Sequence, residues 1–148
     1  MLQEKIQILE MTKDDIDAIS GNFNNEFDKF WKIDNLKNDF NNSNSSYFIA
    51  KLDDEIVGFV GILRIVDEAN IMNIATKESK RNLGIASKLL EYIINYSKSI
   101  GCTSITLEVN ENNYSAIHIY EKFNFKRIGL RKKYYNNTDN AIIMTLIL

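Results

Sequence analysis

The segment 69–109 constrains the fold more than any other part of this chain. It predicts a strand over 69–76, a polar loop, a helix over 85–100 and an alternating strand over 104–109. Apolar residues recur in the helix at i, i+3, i+4 and i+7, which places them on one buried face. Gly101 follows, in the position where helices commonly end with glycine. A strand–helix–strand crossover of this kind predicts a mixed α+β layered fold.

The remaining segments predict further short strands and helices. Thr12 is a suitable N-cap for the first helix, and Asp34 is a suitable N-cap for the second. Asp53 and Asp54 mark a hairpin turn between two apolar runs. The predicted strands are 5–11, 47–52, 56–66, 126–135 and 141–148, and the predicted helices are 12–25, 34–40 and 114–123. Neither a repeat nor a linker is evident, so we expect one domain over residues 1–148.

Composition excludes several classes of protein. Hydrophobic residues make up 45% and charged residues 26% of the 148 positions, which is typical of globular domains. Cys102 is the only cysteine, so an internal disulfide and a cysteine-based zinc site are excluded. The spacing of His, Asp and Glu predicts no metal site. The N-terminus lacks a signal-peptide pattern and no apolar run approaches the ~20 residues of a membrane span. We therefore expect a cytoplasmic protein, either a monomer or a weak dimer.

Charge is distributed unevenly along the chain. Residues 1–79 carry 8 basic and 15 acidic side chains, whereas residues 80–148 carry 10 and 5. The net charge of −2 argues against a nucleic-acid partner, because such binders are usually basic overall. The asymmetry suits a C-terminal half that meets an anion and an N-terminal half that meets a cation. Chance clustering of solvated charge explains it equally well.

The loop before the long helix is a candidate anion site. Residues 76–86 read T-K-E-S-K-R-N-L-G-I-A, a polar stretch that ends at Gly84 just before the helix. Unpaired N–H groups at a helix N-terminus bind phosphate, and Lys80 and Arg81 add positive charge. The stretch matches neither a Walker A loop nor a dinucleotide-binding fingerprint. Taken alone, the stretch is better explained as an ordinary loop with a glycine near a helix start.

Four motifs in order make the chain recognisable. Residues 81–86 (R-N-L-G-I-A) match the R/Q-x-x-G-x-G/A signature of the GNAT acetyltransferase superfamily, and residues 73–75 (N-I-A) resemble the strand before it. Residues 107–125 and 131–145 resemble the L-E-V…N…Y-E-x-x-G-F run and the Y-Y…A-x-x-M ending of the branch that acetylates protein N-termini. Asn124 replaces the usual glycine, and asparagine tolerates the left-handed conformation better than most residues. The resemblance is strong over residues 57–148.

The resemblance implies a GNAT fold with a mixed, mostly antiparallel sheet of six or seven strands and helices on both faces. It also implies acetyl-CoA as cofactor and acetyl transfer to a primary amine. A backbone N–H near Ile74 would stabilise the oxyanion. The implied cofactor-binding residues are Ile74, Ala75, Thr76, Arg81, Asn82, Leu83, Gly84, Ile85, Ala86, Ser87, Asn113 and Tyr120.

Two residues are candidates for the chemistry. Glu108 lies at the end of a strand, on its polar face, and is the candidate general base, acting directly or through water. In isolation it could equally be a surface carboxylate. Tyr120 is the candidate general acid for the leaving thiolate, although without the motif a core tyrosine would be the simpler interpretation. His118 and Cys102 are not assigned a catalytic role, because neither lies in a catalytic pattern.

The acceptor is the least determined part of the reaction. Similarity to the ribosomal-protein alanine N-acetyltransferases implies the N-terminal α-amine of a protein such as ribosomal protein S18. Trp31 and Tyr134 are the candidate acceptor-binding residues. One alternative is a small-molecule amine or lysine acetyltransferase, because one fold hosts many acceptors. Another is an acyl-CoA-binding module without turnover, against which Glu108 and Tyr120 argue.

Overall fold

The computed structural model describes residues 5–28, 31–135 and 138–148. A short 3-10 turn at Glu78–Lys80 precedes the longest helix. The helices are α1 (Lys13–Ser20), α2 (Phe23–Glu26), α3 (Ile33–Phe40), α4 (Ile85–Ser99) and α5 (Tyr114–Lys122). The strands are β1 (Gln7–Glu10), β2 (Ser45–Leu52), β3 (Glu55–Ile65), β4 (Glu68–Thr76), β5 (Ser104–Asn110), β6 (Lys126–Tyr135) and β7 (Asp139–Ile147).

Seven strands of the described ranges form one sheet with the order β1-β2-β3-β4-β5-β7-β6. The β1–β2, β2–β3, β5–β7 and β6–β7 pairs are antiparallel, and the β4–β5 pair is parallel. The crossover through α4 joins the two parallel strands. The predicted α+β class with a mixed, mostly antiparallel sheet is confirmed.

The chain divides into two compact units. The first unit comprises Met1–Leu63 and Met72–Asn95, and the second comprises Arg64–Ile71 and Tyr96–Leu148. The first unit therefore holds β1, β2, β3 except its last two residues, α1 to α3, the end of β4 and most of α4. The second holds the last two residues of β3, the start of β4, the end of α4, the whole of β5 to β7, and α5. The single domain over residues 1–148 stays a prediction.

Helices lie on both faces of the β2–β3 hairpin in the first unit. The register pairs Ile49 with Phe59 and Phe48 with Val60, so these two pairs face opposite sides of the sheet. Ile49 and Phe59 join side chains of α1, α2 and α3 in one apolar cluster. On the other face, the ring of Phe48 lies 4.9 Å from the ring of Tyr92 in α4. The expected placement of helices on both faces is confirmed.

In the second unit, β5 has one buried and one partly exposed face. The alternation follows the sequence pattern and confirms the predicted faces of this strand, with Ile105, Leu107 and Val109 buried and Ser104, Thr106 and Glu108 partly exposed. Gly101 (φ +87°) ends the crossover helix before β5, as predicted. Asn124, just after α5, has φ +70°, so the asparagine takes the left-handed conformation expected of the glycine it replaces.

Two predicted helix boundaries are wrong. The helix expected over 12–25 is two helices, because the backbone leaves the helical region at Asn22 (φ −127°, ψ 26°). The break lets Phe23 enter the core, where its ring lies 5.8 Å from that of Phe59. Asp34 is not an N-cap: Lys32 holds that position and Asp34 lies in the first turn, where a carboxylate favours the helix dipole. The capping role of Thr12 is confirmed, because its Oγ1 accepts a hydrogen bond from the Asp15 N–H.

Among the helices in the described ranges, none combines the length and apolar character needed to cross a bilayer.

Candidate functional site

The loop between β4 and α4 has a backbone suited to binding an anion. The strand ends where the Lys77 N–H donates to the Val57 carbonyl at 2.8 Å. Asn82 (φ +66°) and Gly84 (φ +82°) are both in the left-handed region, two residues apart and immediately before α4. When residues in the left-handed region alternate with residues in the right-handed region, successive backbone N–H groups point into a common concavity. In addition, the first N–H groups of a helix have no acceptor within the helix. Residues 82–87 therefore offer backbone donors to an anion.

The basic residues of this loop are not equivalent. The Lys77 ammonium lies 3.1 Å from Glu55 and 3.7 Å from Glu26, so nearby carboxylates balance its charge. Arg81 is exposed and Lys80 is half-buried, which leaves both able to meet a phosphate. The side chain of Ile85 is buried, so that residue can serve a cofactor only through its N–H.

A glycine that sequence reasoning did not single out brings α4 close to the sheet. A Cβ added at Gly58 of β3 would lie 2.9 Å from the Ala75 carbonyl oxygen and 2.9 Å from Cγ2 of Ile85. Neither distance is compatible with normal packing. Gly58 is therefore required for the close approach of the helix N-terminus to β3 and β4. A glycine inside a predicted strand is the signal that could have identified it.

The predicted oxyanion and pantetheine segment is the end of β4. The parallel ladder to β5 comprises the pairs from Glu68–Ser104 to Asn70–Thr106. Ile74, Ala75 and Thr76 lie beyond that ladder. Their backbone groups are those expected to pair with the cofactor amides in the manner of an added strand.

Glu108 in the second unit is brought together with Tyr134 by an arginine. Nη2 of Arg131 lies 2.8 Å from Oε1 of Glu108. Cζ of the same guanidinium lies 4.9 Å from the centroid of the Tyr134 ring, a cation–π contact. Sequence reasoning assigned no role to Arg131, and its only sequence signal is its position in the R-K-K-Y-Y run. We call Glu108, Arg131 and Tyr134 the guanidinium cluster.

Tyr120 occupies a different environment in the second unit. It is buried on α5, and its ring lies 5.8 Å from that of Phe125. Burial, and to a smaller degree the neighbouring Tyr135, raises the pKa of the Tyr120 phenol above its usual range. The hydroxyl therefore keeps its proton at neutral pH, as a general acid must. In the described part of the chain, no hydrogen bond or ion pair joins Tyr120 to Glu108.

Asn113 is the N-cap of α5. Its Oδ1 accepts hydrogen bonds from the Ala116 N–H and from Oγ of Ser115, both at 3.3 Å. The oxygen is therefore engaged in ordering the helix, and the Nδ2 amide is the group that could donate to a cofactor.

Trp31 is held in place in the first unit. Its ring stacks on Phe59 with a centroid distance of 6.5 Å, and the backbone N–H of Trp31 donates to Oδ1 of Asp28 at 2.9 Å. Oδ2 of Asp28 accepts from Nδ2 of Asn73 at 2.9 Å, which ties this segment to β4. The indole is partly buried in this position. Its acceptor-binding role stays a prediction.

Comparison with known proteins identifies the class. The model of the acetyltransferase (GNAT) family matches residues 14–125. The chain therefore belongs to the GNAT family and is an acetyl-CoA-dependent N-acetyltransferase, as the sequence motifs predict.

The relatives include enzymes of one particular branch. The ribosomal protein bS18-alanine N-acetyltransferase of Haemophilus influenzae is 34% identical over 124 residues, covering 80% of this chain and 82% of that protein. The crystal structure of the ribosomal-protein-S18-alanine N-acetyltransferase from Escherichia coli superposes with a TM-score of 0.88 at 25% identity, covering 96% of this chain and 93% of that one. A GNAT acetyltransferase from Elizabethkingia anophelis with acetyl-CoA bound has the same fold, with a TM-score of 0.81 at 19% identity and coverages of 98% and 99%. The predicted resemblance to the ribosomal-protein alanine branch is confirmed.

Proposed function

We propose that the protein acetylates the N-terminal α-amine of a protein, with ribosomal protein bS18 as the first candidate. The guanidinium cluster is the observation that carries the proposal, because it puts the candidate base beside the candidate acceptor-binding tyrosine. The similarity to bS18-alanine N-acetyltransferases over four-fifths of the chain supports the choice of acceptor. An α-amine also suits a carboxylate base, since its pKa is about 7.7–8.0 against about 10.4 for lysine.

We assign cofactor binding to the residues that the sequence motifs imply for it. The N–H groups of residues 82–87, with Arg81, would hold the pyrophosphate, and Ile74, Ala75 and Thr76 would pair with the pantetheine amides. Asn113 and Tyr120 are the further residues that the resemblance implies for this cofactor. The paired left-handed residues Asn82 and Gly84 suit this assignment. Bound acetyl-CoA supplies an activated acetyl thioester.

The proton transfers are assigned to two side chains of the second unit. Glu108 accepts a proton from the acceptor amine, which must be neutral to attack. Tyr120 holds a proton on Oη for the leaving thiolate. Trp31 and Tyr134 are assigned to the acceptor. We further propose a cytoplasmic location and a monomer or weak dimer; the free, buried Cys102 thiol suits a reducing compartment.

The test is acetyl-CoA turnover, followed by thiol release, with two sets of acceptors. One is a peptide with the N-terminal sequence of bS18, and the other is a panel of polyamines, aminoglycosides and free lysine. We expect turnover on the peptide that disappears when its α-amine is blocked. Turnover on the panel alone would transfer the function to small-molecule acetylation, and CoA binding without turnover on either set would favour a binding module.

A further inference from the structure

Arg131 makes an ion pair with the proposed base and a cation–π contact with the proposed acceptor-binding tyrosine. Its guanidinium bonds to Oε1 of Glu108 and covers one face of the Tyr134 ring. No further partner of the Glu108 carboxylate is recorded in the described ranges, so Oε2 is the oxygen left to accept a proton. An ion pair and a cation–π contact that share one planar group hold both partners in a fixed geometry.

The strand register explains how Arg131 reaches Glu108 across β7. Glu108 on β5 pairs with Ile143, and Ile143 pairs with Gly129 on β6. Directly paired residues point to the same side of a sheet, so this row shares one face. Because Gly129 has no side chain, the position on β6 in line with Glu108 and Ile143 is empty on this face. Arg131, two residues further along β6, lies on the same face and spans the intervening strand.

A β-bulge at Ile128 decides which arginine of β6 takes this position. The register runs from the pair Arg127–Met144 to the pair Gly129–Ile143, so β6 contains one extra residue there. Arg127 therefore points to the opposite face, where it lies 3.7 Å from Glu121 of α5. Without the bulge, Arg127 and Arg131 would share a face.

The two arginines form a matched pair for experiment. Arg131 and Arg127 lie on the same strand, have side chains 53% and 56% exposed, and each pairs with a glutamate of the second unit. They differ in their partners. Glu121 has no role in the proposed reaction, whereas Glu108 is its proposed base.

We propose that Arg131 is a positioning residue that holds the Glu108 carboxylate and the Tyr134 ring in the relation that acetyl transfer requires. The inference rests on the proposed function and extends it to a residue outside the assigned site. A surface ion pair of this exposure adds little to stability, so its removal should affect the reaction far more than the fold. In the alternative role, the guanidinium blocks Glu108 until the acceptor displaces it. That role predicts the opposite effect on kcat, because loss of Arg131 would then accelerate turnover.

The first test compares Arg131→Ala, Arg131→Lys and Arg127→Ala on the bS18 peptide. We expect Arg131→Ala to lower kcat about tenfold, because the base loses its orientation. The KM for the peptide should rise about threefold, because Tyr134 loses its cation–π partner. Relative to Arg131→Ala, Arg131→Lys should recover more of the loss in kcat than of the rise in KM. The reason is that a lysine ammonium keeps the positive charge beside Glu108 but not the planar contact with the Tyr134 ring. Arg127→Ala should match the parent protein within twofold, and acetyl-CoA affinity should not change in any variant.

Double variants separate failure of the inference from failure of the proposed function. In a Glu108→Gln background, adding Arg131→Ala should produce little further loss of kcat. If Glu108→Gln itself keeps full turnover, the base assignment and the inference both fail. If Glu108→Gln is impaired but Arg131→Ala behaves like Arg127→Ala, or is faster than the parent, only the inference is overturned.

A readout independent of turnover is the NMR signal of the Arg131 Nε–H group, assigned by its absence from Arg131→Ala. This signal should move in Glu108→Gln and in Tyr134→Ala and stay in place in Glu121→Gln. An unmoved signal in the first two variants would mean that the guanidinium does not join them in solution, and the inference would be rejected.

Discussion

The anion-binding loop of the first unit and the guanidinium cluster of the second are built in different ways. The loop is one continuous stretch, residues 76–87, and its proposed role depends chiefly on backbone N–H groups that left-handed residues and a helix N-terminus expose. The cluster consists of side chains from β5 and β6, which are separated by β7 in the sheet. Functions based on the backbone follow from local sequence, whereas functions based on side chains from separate strands depend on register.

This contrast predicts separable defects. Changes in the loop or its packing should weaken cofactor binding, whereas changes in the cluster or at Tyr120 should slow turnover with the cofactor still bound. The following predictions run from the largest expected effect to the smallest.

Glu108→Gln should lower kcat about a hundredfold, because the amide cannot accept the proton from the acceptor amine. Acetyl-CoA affinity, measured by calorimetry, should stay within twofold of the parent protein. Glu121→Gln is the matched control, since it removes the other arginine-paired carboxylate and should leave kcat unchanged. Equal losses in the two variants would show that general electrostatics, not proton transfer, is responsible.

Gly58→Ala should destabilise the protein by about 2 kcal/mol, because the added methyl group meets the Ala75 carbonyl oxygen and the Ile85 side chain at 2.9 Å. The helix N-terminus must move, so acetyl-CoA affinity should fall as well. Thermal unfolding and calorimetry measure the two effects. Gly21→Ala is the control, since a Cβ there has no neighbour within 4 Å and the backbone is helical. If Gly58→Ala leaves the acetyl-CoA affinity unchanged, then cofactor binding does not depend on the close packing of α4 against the sheet.

Tyr120→Phe should lower kcat about tenfold and leave cofactor affinity unchanged, because it removes only the proton donor. Tyr92→Phe, which deletes a hydroxyl from an aromatic of the first unit, is the control. The raised pKa of Tyr120 also implies that stability falls as pH rises above about 10, where the unfolded chain ionises its tyrosine and the folded chain does not. In Tyr120→Phe this alkaline loss, followed by denaturant unfolding, should be smaller. A full kcat in Tyr120→Phe would remove the residue from the mechanism.

Gly84→Ala should weaken acetyl-CoA binding about fivefold, since an alanine at φ +82° costs roughly 1–2 kcal/mol and would shift the loop. At saturating cofactor, kcat should remain close to that of the parent. Asn82→Gly removes the side chain from the other left-handed position and so removes its backbone strain. This variant should bind acetyl-CoA at least as well as the parent protein. A loss of kcat at saturation in Gly84→Ala would contradict the division of labour between loop and cluster.

Local patterns were sufficient for most of the fold. Helical periodicity and Gly101 placed α4 correctly, alternation gave both faces of β5, and the Asp53–Asp54 turn is in the left-handed region as a tight hairpin requires. The predictions that were wrong, the helix over 12–25 and the cap at Asp34, concern α1 to α3. In the helix over 12–25, the entry of Phe23 into the core overrides local propensity.

The sequence by itself determined the strand–loop–helix segment, its glycine and the family, because backbone conformation at a turn or helix end depends on a few neighbouring residues. Only the tertiary structure decided that Arg131, and not Arg127, meets Glu108, and that Gly58 brings α4 close to the sheet. The physical reason is that one extra residue in β6 reverses the face of every side chain before it. Interstrand hydrogen bonds and the packing of α4 involve residues far apart in the chain, so a local pattern can mark a residue such as Gly58 but cannot show which residues it meets.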